Sequence, residues 1–335
     1  MKAWTIADQF GIDHLHLATR PVPTPGPGEV LVRVKAVSLN YRDLLMVNGA
    51  YNPKLPRPRV PCSDAAGQVV GVGPGVTAFK TGDRVTGTFF QNWANGPITE
   101  EAAKSALGGQ DLDGVMAEEV VFRESGLVHT PHHLSDEAAA TLPCAAVTAW
   151  NALAEGGLKA GETVLLQGTG GVSLFALQIA KMFGAVPVIV SSSDEKLKRA
   201  KSLGATAGLN YKATPDWDKW AKTVTAGRGV DHVVEVGGAG TLEKSAKATR
   251  MGGHIALIGV LSGAGGANPT PLLMRSLNLR GIYVGSKAMF ADMARAFTHH
   301  HVEPVIDKVF PFADFPAALK HLESGTHFGK VVIRV

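Results

Sequence analysis

From residue 162 to residue 286 the chain alternates six short apolar runs with stretches of helical period, and this rhythm constrains the fold more than any other feature. The runs are "ETVLLQ", "VPVIVSS", "AGLNY", "VDHVVEVG", "GHIALIGV" and "LRGIYVGS". Between them, helical patterning covers 172–183, about 194–203, and the neighbourhoods of 217–225 and 242–249. Near-continuous apolar runs separated by helices predict a parallel sheet covered on both faces, the doubly wound α/β arrangement.

The first 125 residues read differently. "EVLVRVKAVSLN", "AAGQVVGVG" and "GDRVTGTFF" are separated by turn clusters such as "PVPTPGPGE" and "GPGV", a spacing that predicts a small β-barrel. The segment 91–114 is polar and Gly-rich, which predicts an excursion over the surface. "LSDEAAATLPCAAVTAWNAL" predicts two helical pieces separated by Pro143, with Ser135 as N-cap. The tail from 287 returns to a helix, then "HVEPVIDKVFPF", a helix at "DFPAALKHLESG" and a closing strand "GKVVIRV". The plan is a barrel-like domain (1–126 and 287–335) interrupted by a six-stranded nucleotide-binding domain (127–286).

Composition narrows the function. With 45% hydrophobic and 19% charged residues, and with no apolar run of 18 residues, the chain reads as globular and without membrane spans. Its start lacks a signal-peptide profile, so a cytoplasmic location is expected. A formal charge of +4, scattered without a basic block, excludes nucleic acid as the expected partner and suits an anionic cofactor. The two cysteines, Cys62 and Cys144, form neither a disulfide framework nor a C-x-x-C metal pair.

The turn after "ETVLLQ" runs Gly168, Thr169, Gly170, Gly171, Val172, Ser173. It follows an apolar β run, opens a helix and precedes a second strand, the context a dinucleotide fingerprint requires. Gly168 would make the tight turn, Gly170 would let the backbone approach a pyrophosphate, and N–H groups around Gly171 and Val172 would point at it. The third glycine is replaced by Ser173, small enough for helix and strand to stay close. The second strand ends "VIVSSSDEKL", with Ser191 and Ser192 where an NAD enzyme usually carries an acid, and Lys196 following. This favours NADPH over NADH, although Asp194 reaching the ribose is an alternative.

The co-linear stretches "AVSLNYRDLLMVNGAY", "AAGQVVGVGPGVTAFKTGDRV", "LPCAAVTAW", "GTGGVSLFALQIAK", "GVDHVVEVGG" and "HFGKVVI" resemble the medium-chain dehydrogenase/reductase superfamily along the whole chain. The likeness is greatest to its zinc-lacking branch of quinone oxidoreductases and ζ-crystallin. The resemblance implies a GroES-like β-barrel catalytic domain beside the Rossmann domain. Zinc-dependent relatives carry Cys where this chain has Asn40, His-Glu where it has Ser63 and Asp64, and Cys matching Cys144; their four-Cys structural lobe has no counterpart in 91–114. The expectation is therefore no metal, with hydride delivered to an electron-poor C=C or a quinone, whose delocalised anion hydrogen bonds can stabilise.

The resemblance also implies site residues. Asn40 and Asp43 line the catalytic cleft, Asn40 near the nicotinamide ribose, with Thr148 beside the nicotinamide. Tyr51 faces substrate as a proton donor or packs over the cleft mouth, with Tyr41 as a neighbouring alternative. Tyr211 lies near the adenosine 2′-phosphate, Val236, Gly237, Gly259 and Val260 end strands at the dinucleotide, and Phe328, Gly329 and Lys330 close the cleft. The run His299, His300, His301 reads as a solvated helix end, and Cys144 as a buried, inert thiol. The last Rossmann strand would join two copies into a homodimer. The leading expectation is an NADPH-dependent reductase acting on a small molecule. An alcohol dehydrogenase or carbonyl reductase of the same superfamily, or a non-catalytic NADPH-binding protein, are the alternatives.

Overall fold

The computed structural model describes residues 1–259, 261, 265–266 and 268–335. Strands β1 (Lys2–Ile6) and β2 (Leu15–Thr19) form an antiparallel ribbon. They are followed by β3 (Glu29–Ser38), α1 (Tyr41–Val47), β4 (Asp64–Val72), β5 (Arg84–Gly87), α2 (Glu100–Lys104), β6 (Glu119–Arg123), β7 (Leu127–His129) and α3 (Asp136–Ala140). A π-type turn over Leu142–Ala146 leads into α4 (Val147–Leu153). Then come β8 (Thr163–Gln167), α5 (Gly171–Met182), β9 (Val186–Ser191), α6 (Asp194–Ser202), β10 (Ala207–Asn210), α7 (Trp217–Thr223), β11 (Val230–Glu235), α8 (Ala239–Ala248), β12 (Thr249–Leu257), α9 (Thr270–Met274) and β13 (Asn278–Gly281). The chain closes with α10 (Lys287–His300), β14 (Ile306–Pro311), α11 (Phe315–Glu323) and β15 (Lys330–Arg334).

Two compact units divide the chain, one comprising Met1–Val147 and Gly285–Val335, the other Thr148–Val284. Residues 127–147, which the sequence pattern assigned to the nucleotide-binding half, pack in the first unit. The reason is strand pairing, because β7 closes onto β5 through Val85↔His129, Thr86↔Val128 and Gly87↔Leu127.

The first unit holds a sheet ordered β14-β15-β3-β4-β5-β7, with β6 also on β3. Alternate residues Val30, Val32 and Val34 of β3 face a core shared with Leu44, Val69, Phe122, Phe315 and Ile333, as period-2 patterning requires. The segment 91–114 is more than a surface excursion. Trp93, Ala102, Ala106 and Leu107 are buried, Trp93 meets Phe90 edge-on at 5.6 Å, and buried Gln91 accepts the Arg123 N–H and donates to Thr88 O. Apolar side chains dispersed among glycines suffice to dock it.

In the second unit all six strands run parallel in the order β10-β9-β8-β11-β12-β13. The central strands β8 and β11 are buried at every residue, so even the polar residues of β11, Asp231, His232 and Glu235, are held inside. The order reverses between β8 and β11, the position at which open α/β sheets bind ligands beyond their strand C-termini. Among the described residues no helix is long and apolar enough to cross a membrane.

Candidate functional site

In the second unit, Gly168 closes β8 with φ 71° and donates its N–H to Val190 O at 2.7 Å. Gly170 is the N-cap of α5, and no side chain caps that helix. Among the described residues, a Cβ on Gly168 or Gly170 would meet no atom within 4 Å beyond its own chain neighbours. The fold therefore leaves open space above the turn, and the uncapped helix start faces it with its positive dipole end. Ser173 does more than keep close quarters, since its buried hydroxyl donates to Gln167 O at 2.6 Å, tying the first turn of α5 to the end of β8. These residues fit a dinucleotide pyrophosphate.

At the end of β9 Ser191 is buried, and its carbonyl accepts the Tyr211 N–H at 3.0 Å, which brings half-exposed Tyr211 beside Ser191 and Ser192. Ser193 caps α6 by accepting the Lys196 N–H. Asn210 donates to the Asp194 carboxylate at 3.1 Å. Thr148 lies buried in α4. Val236 and Gly237 follow β11, and Gly259 packs so tightly on them that a Cβ there would sit 1.6 Å from Val236 O. Val260 lies outside the described residues.

In the first unit, the pairing of β15 with β3 brings Lys330 to the residues just past β3 (Val332↔Ser38, with Leu39 N–H to Val331 O at 2.9 Å). Its ammonium, only 3% exposed, donates to Leu39 O and to Asn40 Oδ1, each at 2.6 Å. Asn40 is the N-cap of α1, and its own N–H reaches Asp43 Oδ2 at 2.8 Å. Asp64 starts β4 opposite Ser38, with Oδ1 accepting the Ser63 hydroxyl at 2.6 Å and Oδ2 the Cys144 N–H at 3.0 Å. The strand register thus gathers Asn40, Asp43, Asp64 and Lys330.

Burial dominates the electrostatics here. It pushes the Asp43 carboxyl up to about 6, with Arg42 opposing and Asp64 reinforcing. Burial also raises Asp64, against the pull of Lys330 and of its hydrogen bonds. The thiols of Cys62 and Cys144 are raised as well, by burial first and by the neighbouring carboxylates next. Asp43 braces the α1 start from beneath.

Tyr51 is nearly half exposed and shares the Arg42 guanidinium with Phe89, at 5.7 and 4.7 Å from the two ring centres. Arg42 is anchored by two bonds to Leu107 O. Phe328 is buried in the unit, its N–H held by Asp307 Oδ1 at 3.0 Å. His299, His300 and His301 are exposed at the end of α10.

A metal fits this donor set poorly. Both Asp64 oxygens accept hydrogen bonds, Asn40 Oδ1 holds an ammonium, and burial beside carboxylates disfavours the thiolates of Cys62 and Cys144. Among the described residues no three His, Cys, Asp or Glu side chains are grouped to hold a metal ion.

A Rossmann sheet with an open, uncapped Gly-rich turn and a barrel unit with a buried polar cluster define a nucleotide-dependent oxidoreductase. Residues 26–132 match the alcohol dehydrogenase GroES-like domain and 171–299 the zinc-binding dehydrogenase domain. The chain is 47% identical over 337 residues to a zinc-type alcohol dehydrogenase-like protein of Schizosaccharomyces pombe, covering 97% of this chain and 96% of that one. It is 31% identical to the chloroplastic NADPH-dependent alkenal/one oxidoreductase of Arabidopsis thaliana, over 99% of this chain and 79% of that one. A crystal structure of a putative alcohol dehydrogenase from Sinorhizobium meliloti 1021 superposes with TM-score 0.92 at 44% identity, covering 100% and 98% of the two chains. The chain belongs to the medium-chain dehydrogenase/reductase superfamily.

Proposed function

We propose that the protein is an NADPH-dependent, zinc-independent reductase of electron-poor C=C bonds, such as those of enones and quinones. The observation that carries this reading is the commitment of the polar groups around Asn40 to one another, with Lys330 as their cation. A site without a Lewis acid suits substrates that delocalise the negative charge left by hydride addition. The Arabidopsis relative named for NADPH-dependent alkenal/one reduction supports the same class.

In this reading the N–H groups at the start of α5 bind the pyrophosphate, and Ser191, Ser192, Lys196 and Tyr211 receive the adenosine end. The absence of an acid at Ser191 and Ser192, the end of β9, supports NADPH over NADH. When bound, the nicotinamide supplies a hydride. Asn40, fixed by Lys330 and Asp43, shapes the floor of the barrel-side site, and the exposed Tyr51 hydroxyl gives a proton to the reduced substrate. Tyr51→Phe then lowers kcat by about a hundredfold, while the KM for NADPH stays constant in steady-state assays.

The test is nucleotide oxidation by chelator-treated, metal-assayed protein, with NADPH and NADH in parallel, against enones, benzoquinones, aldehydes and ketones. Turnover of the first two classes without metal supports the reading. Turnover of carbonyls alone, or only with added zinc, overturns it in favour of an alcohol dehydrogenase, the reading suggested by the names of the Schizosaccharomyces and Sinorhizobium relatives.

We further propose a cytoplasmic homodimer joined through the free edge of β13. Leu279 of β13 is exposed and, among the described residues, no strand pairs with the outer side of β13, an edge of the kind that invites pairing. A monomeric mass by sedimentation would refute it.

A further inference from the structure

The second unit buries a carboxylate that the chemistry above does not use. Glu235 ends β11 and is wholly inaccessible. Its Oε1 accepts the N–H groups of Gly237 (2.8 Å) and Gly238 (2.9 Å) and the Thr241 hydroxyl (2.5 Å). Its Oε2 accepts Gln167 Nε2 at 2.8 Å and the Ser245 hydroxyl. The N-cap of α8 is Gly238, which has no side chain to cap the helix, and the carboxylate lies beneath this helix end, bonding the Gly238 N–H and the Thr241 hydroxyl, where a negative charge is favoured.

Gln167, the last residue of β8, carries the connection onward. Its amide is fixed by what it faces: Nε2 donates to Glu235 and to Ser245 Oγ at 2.8 Å, while Oε1 accepts the N–H groups of Val236 (3.2 Å) and Gly237 (3.3 Å). Its main-chain carbonyl holds Ser173. A continuous chain therefore runs from the first turn of α5 through Ser173, Gln167 and Glu235 to Thr241 and Ser245 of α8. It bridges β8 and β11, the two strands between which the sheet order reverses, and it lies under both Gly-containing turns.

Resting on the nucleotide-binding reading, we propose that Glu235, acting through Gln167, is a positioning residue for the dinucleotide. It fixes the spacing of the turns at 168–171 and 236–238, and it draws the N–H groups of 236–238 inward so that they are spent within the protein. All of its partners are donors, so only a carboxylate satisfies them together. A carboxamide at 235 would set its own N–H against donors on one side and displace one turn.

The experiment is NADPH binding by nucleotide fluorescence, together with steady-state kinetics, for the wild type, Glu235→Gln and Thr241→Val. Misplacement of the turns predicts that Glu235→Gln raises the Kd and KM for NADPH about ten- to a hundredfold while kcat at saturation falls less than about threefold. Thr241→Val, which deletes a single donor, gives a smaller rise in the same constants and keeps the test informative if Glu235→Gln does not fold. Wild-type Kd in a folded Glu235→Gln, or an unchanged Kd in Thr241→Val, overturns the proposal, as does loss of kcat at constant KM. If wild-type protein binds neither NADPH nor NADH, it is the nucleotide reading itself that fails.

Discussion

Each unit sequesters carboxylates from water, and the two do so by opposite means. In the barrel unit Asp43 and Asp64 lie within the field of cations they do not bond, chiefly Arg42 for Asp43 and Lys330 for Asp64, and burial still drives both carboxyls upward. In the Rossmann unit Glu235 has no cation among its hydrogen-bond partners and rests on five neutral donors, three hydroxyl or amide side-chain groups and two backbone N–H groups. A charge held by a counter-ion in a dry site depends on that one partner. A charge held by oriented dipoles is spread over many, each worth little alone.

The comparison breaks most visibly at Lys330. Lys330→Met leaves Leu39 O and Asn40 Oδ1 without their buried donor and removes the ammonium's pull on both carboxyls; it is expected to cost about 3–5 kcal/mol, read as a lower urea midpoint, with Lys330→Arg recovering part of it. Titration sharpens the contrast. Asp43 has its folded pKa raised from 3.8 to about 6, so its contribution to stability is full below pH 3.8 and lost as pH rises through about 6. That loss is about 3 kcal/mol as an upper bound. In the Rossmann unit His254 goes the other way, lowered from 6.5 to about 4 by burial first and then by His232 and Arg280. Its contribution is present above 6.5 and is lost as pH falls through about 4. Asp43→Asn should therefore make stability climb more steeply with pH between 4 and 6, and His254→Gln should make it climb less, both measurable by denaturant melts across that range.

The smallest effect belongs to Ser173. Ser173→Ala removes one bond to Gln167 O and should cost about 1 kcal/mol, with a severalfold rise in the KM for NADPH. Ser173→Gly, which would restore the usual fingerprint, should show the same weakening. A rise in nucleotide affinity in that variant would mean that the hydroxyl contributes nothing to the turn.

The Rossmann half was open to reading because a parallel sheet buried on both faces writes its strands as mostly apolar runs, and because a turn that approaches a ligand is rich in glycine. Ser173 was visible as a departure from the pattern, but its bond to a main-chain carbonyl was not. Glu235 stands as the acid that closes "VDHVVE", a signal in hindsight, yet its partners come from β8, the following turn and α8. The bonds of Lys330 to a carbonyl and an amide about 290 positions earlier leave no local trace in the sequence around it. The lobe around Trp93 hid its buried residues among glycines, and three-residue β7 was too short to announce that it belongs with β5. Local pattern reports periodicity; long-range register and polar pairing leave little trace in it.

The position of β15 has a consequence for the order of synthesis. It lies between β14 and β3 inside the barrel unit's sheet, although β3 is made near the beginning of the chain and β15 at its end. Thr148–Val284 is a contiguous stretch and can become compact as it leaves the ribosome. The barrel unit must wait with β3 and the Asp43–Asp64 pair unsealed until the final strand delivers both a sheet partner and a cation. The polar core of the barrel unit is thus completed only after the Rossmann stretch has been made, and truncating the chain before Lys330 should leave a folded Rossmann unit attached to an incomplete barrel.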